Sequence, residues 1–206
     1  MSSIATSVLE IEKKFQIPVR FEETLLSNGG KLTERREFQD VYYDLPDNSL
    51  TLKGLWLRKR NTKWELKHLN ARCDPTISIT DKYHETSDET KIMTELSKHV
   101  PMATSLDELV SKHCREFASF TTQRTSYQLP NDVRVDLDVA SFGYSVGEIE
   151  IVIDDETGVS EAEQRLEGLA EKLGINWQKK FPGKVEEFLR LNDPVHLEKL
   201  MEKHLL

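Results

Sequence analysis

Two runs of alternating acids and a set of strand-borne bases are the residues of this chain best suited to chemistry. Glu10, Glu12 and Lys14 occupy every second position of the run 9–15, with Leu9, Ile11, Lys13 and Phe15 between them. At strand period, two carboxylates and an ammonium then share one face opposite a largely apolar one. Glu148 and Glu150 alternate with Ile149, Ile151 and Ile153 in the same way, as do Arg134, Asp136 and Asp138 with Val133, Val135, Leu137 and Val139. Trp56, Arg58 and Arg60 share one parity, Glu65 and Lys67 another, and Arg124 lies in the β-type run 116–129. The bases Lys14, Arg58, Arg60, Lys67 and Arg124 suit phosphate oxygens, arginine through bidentate contacts above all. The acids Glu10, Glu12, Asp136, Glu148 and Glu150 form a hard oxygen set suited to Mg²⁺ or Mn²⁺. A carboxylate-held cation beside a group of bases is what polyphosphate chemistry needs. A solvated sheet face explains any one of these runs alone. Their recurrence with complementary charge favours a shared site.

Strands near 8–16, 36–44, 54–60, 63–69, 76–85, 116–129, 132–139 and 145–153 are expected from alternation and turn residues. Helical spacing is expected over 20–28, 87–99, 105–113 and 160–173, then from Lys184 and again after Pro194. Ser160 followed by Glu163 has the form of a capping box. Short connections between most strands outline an α+β fold, a closed eight-stranded antiparallel β-barrel with outer helices. Each barrel strand has one inner and one outer face. The apolar faces must bury against the helices, which are expected outside, so the charged faces line the lumen. Desolvating that many unpaired charges would cost as much as a whole domain's stability, so the lumen must hold ions, water or a charged guest. Residues 1–206 are expected to form a single domain, with the helices of 183–206 packing on the barrel or closing it.

Composition narrows the function further. The net charge of −8 argues against a nucleic-acid or anionic-membrane partner. Cys73 and Cys114 form no CxxC, and the histidines form no HxxxH set, so reduced structural cysteines and no zinc site are expected. The N-terminal stretch lacks a basic, then apolar, leader pattern, and no run reaches membrane-spanning length. A cytoplasmic monomer acting on a small molecule is the expectation. Neither Gly30-Lys31 nor Gly183-Lys184 sits in a Walker loop.

With these residues assembled, the chain resembles the CYTH family, the triphosphate tunnel metalloenzymes. Glu10-Ile11-Glu12-Lys13-Lys14 resembles its ExExK motif, Arg58-Lys59-Arg60 its RxR strand, and Glu65-Leu66-Lys67 the strand that follows. Arg124, Asp136, Glu148-Ile149-Glu150 and Lys184 stand at its arginine, aspartate, late ExE and C-terminal lysine positions. The stretches FQDVYYDLPDNSL, GLWLRKR, WELKH and VRVDLDVASFGYSVGEIE resemble the animal thiamine triphosphatase branch. His84 departs from the pattern, standing between Tyr83 and Glu85 where a lysine is expected.

The resemblance implies Mg²⁺-dependent hydrolysis of thiamine triphosphate to the diphosphate and phosphate, by in-line attack of water on the terminal phosphorus. It implies Glu10, Asp136, Glu148 and Glu150 as metal ligands, with Glu12 a second-metal or water-orienting carboxylate. Lys14, Arg58, Arg60, Lys67 and Arg124 would grip the triphosphate, and Lys184 would close the tunnel as proton donor to the leaving phosphate. Glu85 would hold one of these bases in register, Arg134 either does the same or lies at the surface, and Asp138 is either solvated or paired to a lumen base. Trp56, on the parity of Arg58 and Arg60, either stacks on a cationic thiazolium ring or plugs one end of the barrel; Trp64 reads as a core residue. An inorganic triphosphatase is the alternative on the same fold, followed by an adenylate cyclase and by a catalytically silent triphosphate binder.

Overall fold

The computed structural model describes residues 8–69, 80–101, 103–153 and 156–206. The start of the expected strand at Thr76–Ile79, together with Cys73 and Met102, lies outside them. The strands are β1 (Val8–Phe15), β2 (Lys31–Asp44), β3 (Leu55–Arg60), β4 (Lys63–Leu69), β5 (Asp81–Thr86), β6 (Arg115–Gln128), β7 (Arg134–Ala140) and β8 (Ser145–Ile153). They close into an antiparallel barrel in the order β1-β5-β4-β3-β2-β6-β7-β8. Asn61 turns β3 into β4, and Asn131 and Asp132 turn β6 into β7, all three with positive φ. Asparagine and aspartate tolerate that region better than other non-glycine residues.

The helices are α1 (Phe21–Ser27), α2 (Glu89–Leu96), α3 (Leu106–His113), α4 (Val159–Lys172), α5 (Lys184–Asn192) and α6 (Pro194–Glu202). Alternation decides where the core lies. The outward residues Ile11, Val135, Leu137, Ile149 and Ile151 pack with α1 and α4. Leu55, Leu57, Trp64 and Leu66 pack with α2 and α3. Each buried apolar side chain contributes roughly 1.5–3 kcal/mol, so these two shells fix which face of each strand points inward. Phe15 lies opposite Gly147, where an added Cβ would fall 2.3 Å from its ring. Only glycine leaves that space, and the same register aligns Lys14 with Glu148.

Three expectations need correction. β2 begins at Lys31, not near 36, because β6 pairs with it along its whole length. Residues 31–37 are exposed on both faces, so they carry no alternation to read. Of the fifth strand, the described residues form strand only from Asp81, with Thr80 in a bend. The Ser160–Glu163 box does not form: α4 starts one residue earlier, and Glu163 accepts a bond from Thr80 Oγ1 instead (2.5 Å). The helices of 183–206, for which packing on the barrel or closing it both stood open, lie at its end rather than on its outer face. They cover inward residues at one end of the barrel, with Val185 and Phe188 against Tyr42 and Phe120, and Leu189 and Leu200 against Trp56 and Tyr83.

Candidate active site

The closed sheet encloses a cavity of about 310 Å³. Two acidic strands make one wall. β1 contributes Glu10, Glu12 and Lys14, and β8 contributes Glu148 and Glu150, with Glu12 opposite Glu150 and Lys14 opposite Glu148. Glu10 reaches Lys67 Nζ at 2.9 Å, and Glu12 accepts from Lys14 Nζ at 2.6 Å. Burial drives Glu150 up to about 8; Arg134 opposes the shift, while Glu10, Glu12 and Asp136 add to it. Burial also raises Glu10, offset in part by Lys67. Negative charge is therefore crowded where these strands meet.

A second wall runs from β5, which pairs with β1, through β4 to β3. Arg58 is buried between Glu65 (2.6 Å) and Glu85 (3.1 Å), with Tyr42 Oη at 3.3 Å. Lys67 stands 2.9 Å from Glu85 and 3.7 Å from Glu12. Burial works against its charge, but Glu12, Glu85 and Glu10 outweigh it and raise Lys67 well above the ordinary lysine value. Lys67 is thus a fixed cation at neutral pH. Glu85 carries the complementary shift: burial notwithstanding, Lys67 and Arg58 hold it below the usual carboxylate range.

Arg124, Asp138, Glu148 and Lys184 join the two walls. Arg124 donates to both oxygens of Asp138 (2.7 and 2.6 Å), to Asp136 at 2.5 Å and to Glu148 at 2.8 Å. Lys184, the first residue of α5, donates to Asp138 and, at 3.2 Å, to Glu148. Burial would raise Glu148, yet Lys184 and Arg124 dominate and hold it well below its ordinary value. Asp136 sits behind the cavity wall, bonded by Arg124 and by Arg134 at 2.6 Å. Among the described residues, no three acidic or imidazole groups converge as a preformed cation cage. Their oxygens turn to the lumen bases instead.

Every expected site residue except Asp136 lines the cavity. Asp138 takes the paired option. His84 faces His68 across β4 and β5, its parity opposite to that of Tyr83 and Glu85. Sequence reading missed Asp40 and Phe38, which flank Arg60, and Arg36, Tyr42 and Lys180 in the lining. Parity was the available signal: Arg36, Phe38, Asp40 and Tyr42 alternate along β2.

The end covered by α5 and α6 is chemically different. Trp56 pairs with Lys67 across β3 and β4, and both line the cavity. Its Nε1 is buried with no partner among the described residues. Tyr83 lies beside it, and the ammonium of Lys67 stands 5.3 Å from the Tyr83 ring. Leu205 and Leu206 also line this end.

The model of the CYTH domain matches residues 9–183. The chain belongs to the CYTH family. Among curated relatives of this CYTH protein, human thiamine-triphosphatase is 34% identical, over 97% of this chain and 92% of the human one. The Macaca fascicularis thiamine-triphosphatase is 32% identical over the same shares. A candidate adenylate cyclase of Vibrio parahaemolyticus superposes with TM-score 0.61 at 19% identity, covering 88% of this chain and 98% of that one. At that identity the likeness speaks for the CYTH barrel alone. No described helix of this CYTH protein is long and apolar enough to cross a membrane.

Proposed function

We propose that this CYTH protein is a triphosphatase that hydrolyses thiamine triphosphate to thiamine diphosphate and inorganic phosphate. One observation carries the choice of substrate: Trp56 stands on the cavity face directly across from Lys67. A triphosphate gripped by Lys67 and Arg58 would bring its organic end against the indole. The thiazolium is permanently cationic and gains roughly 0.5–2 kcal/mol on an aromatic face. The full-length likeness to two proteins named thiamine-triphosphatase supports the same reading.

The donor set fits a divalent cation, Mg²⁺ or Mn²⁺. It consists of oxygens only, and the carboxyls of Glu12 and Glu150 face each other on the inner wall, where opposite charge is needed for both to be anions. Glu10, Glu12, Asp136, Glu148 and Glu150 would hold the ion, their oxygens turning from the lumen bases as phosphate takes those bases over. Bound there, the cation supplies charge neutralisation on the phosphate oxygens and a lowered pKa for a water.

The protein's own groups do the rest. Arg58, Arg60, Arg124 and Lys14 bind and orient the phosphates; the permanently charged Lys67 offsets the charge that builds on them. Glu12 orients the attacking water. Lys184 Nζ, between Asp138 and Glu148, passes a proton to the oxygen that leaves. Glu85 holds Arg58 and Lys67 in place. Phosphate release from thiamine triphosphate, tripolyphosphate and ATP, compared side by side, tests the reading. Preference for thiamine triphosphate supports it; equal or better use of tripolyphosphate replaces it with an inorganic triphosphatase.

A further inference from the structure

Arg60 and Arg124 come from strands on opposite sides of β2, yet both lean on the same β2 ring. The Arg60 guanidinium lies 4.1 Å from the centre of Phe38 and that of Arg124 lies 5.5 Å from it. Arg36 is a third, at 5.2 Å, and its register places it directly opposite Arg124. Three cations around one buried ring would repel one another unless anions stood behind them. Behind Arg60 that anion is Asp40, its direct partner across β2 and β3. Asp40 is fully buried and takes both guanidinium bonds, at 2.7 and 2.8 Å. Burial alone would raise its pKa; the bonds from Arg60 and the charge of Arg58 leave it below the usual aspartate value, so it stays ionised. Arg124 has the same arrangement with Asp138.

Neither Asp40 nor Phe38 is among the residues that line the cavity. Holding Arg60 from two sides removes rotamer freedom that a long side chain would otherwise lose on binding a ligand. We propose that Asp40 and Phe38 are positioning residues that fix Arg60, and through the shared ring Arg124, in the orientation that grips a triphosphate. The inference rests on the reading of the tunnel as a triphosphate site, and does not depend on thiamine being the organic group.

The test is the affinity for inorganic tripolyphosphate, measured by calorimetry in chelator for the whole chain. The variants are Asp40→Asn, Phe38→Leu, Arg60→Ala and the doubles with Arg60→Ala. Asp40→Asn is expected to weaken binding on the order of tenfold in the wild-type background and less than about twofold once Arg60 is gone. Phe38→Leu keeps the apolar packing and should cost roughly 2- to 30-fold, and less once Arg60 is gone, with Arg124 still leaning on the ring. A merely structural role would give losses that multiply in the doubles, and thermal unfolding reports any loss of fold separately. Multiplying losses, unchanged binding in both single variants, or no tripolyphosphate binding by the wild type would overturn the inference. Failure to hydrolyse thiamine triphosphate with this coupling intact would overturn the substrate reading instead.

Discussion

Glu12 on β1 and Glu150 on β8 are direct cross-strand partners, two acids on one rung of the barrel's inner wall. With its pKa raised to about 8 by burial and by its acidic neighbours, Glu150 keeps its proton at neutral pH in metal-free protein. A cation bound by that carboxylate must expel the proton. Mg²⁺ binding at pH 7 is therefore expected to release about one proton per site, and to weaken as pH falls below that value. Calorimetry in buffers of different ionisation enthalpy measures the release. Glu150→Gln should abolish it, and proton-free Mg²⁺ binding by the wild type would contradict the assignment.

Glu148 and Glu150 share a motif and a face but should differ in stability. Glu148 is ionised between Arg124 and Lys184, so Glu148→Gln leaves buried cations short of a partner and costs about 3 kcal/mol. Glu150 is protonated at neutral pH, so Glu150→Gln exchanges one neutral group for another of similar size and should leave the melting temperature nearly unchanged. Both should lower turnover by about 100-fold or more. Equal melting shifts for the two would mean that their surroundings are not distinct.

Trp56→Leu separates stacking from packing. Leucine retains apolar contact with Leu189 and Leu200 but offers no indole face. kcat/KM for thiamine triphosphate should fall roughly 2- to 30-fold, with tripolyphosphate nearly unaffected. Equal losses on both substrates would make the tryptophan structural.

His196 ties α6 to the barrel. Its Nε2 lies 2.8 Å from Thr51 Oγ1, whose proton goes to the buried Asp44 (2.5 Å). Nε2 must then carry the hydrogen, which leaves Nδ1 bare and buried with no partner among the described residues. Burial lowers the His196 pKa; Asp44 and Asp193 oppose the shift, and Arg115 and Lys199 add to it. The unfolded chain takes up a proton here below about pH 6.5 and the folded one does not, so stability is full above that pH and falls as pH drops through the folded value. Melting temperature should fall between pH 7.5 and 5.5, by less in His196→Gln, whose amide can still donate to Thr51. His68 and His99, lowered in the same direction, should leave part of the slope. An identical slope in the variant would exclude His196.

Much of this site was legible because the charged motifs lie on strands, where parity states direction. Glu10, Glu12, Lys14, Arg58, Arg60 and Lys67 all follow from alternation, since the residues between them bury against helices. Asp40 escaped because no spacing rule marks a carboxylate that serves an arginine on the next strand. The first residues of β2 escaped for another reason: with both faces wet, pairing with β6 alone makes them a strand. The place of α5 and α6 was illegible too. An apolar helix face says that it needs cover, not whether the barrel's side or its end provides it.

The central claim is that carboxylates and bases lining one tunnel carry out cation-dependent hydrolysis of a triphosphate. Phosphate release from thiamine triphosphate, measured on metal-stripped protein with EDTA and then with excess Mg²⁺, tests it most directly. The expected result is negligible release in chelator and rapid release once Mg²⁺ is restored. Equal release in both conditions, or none in either, would contradict it.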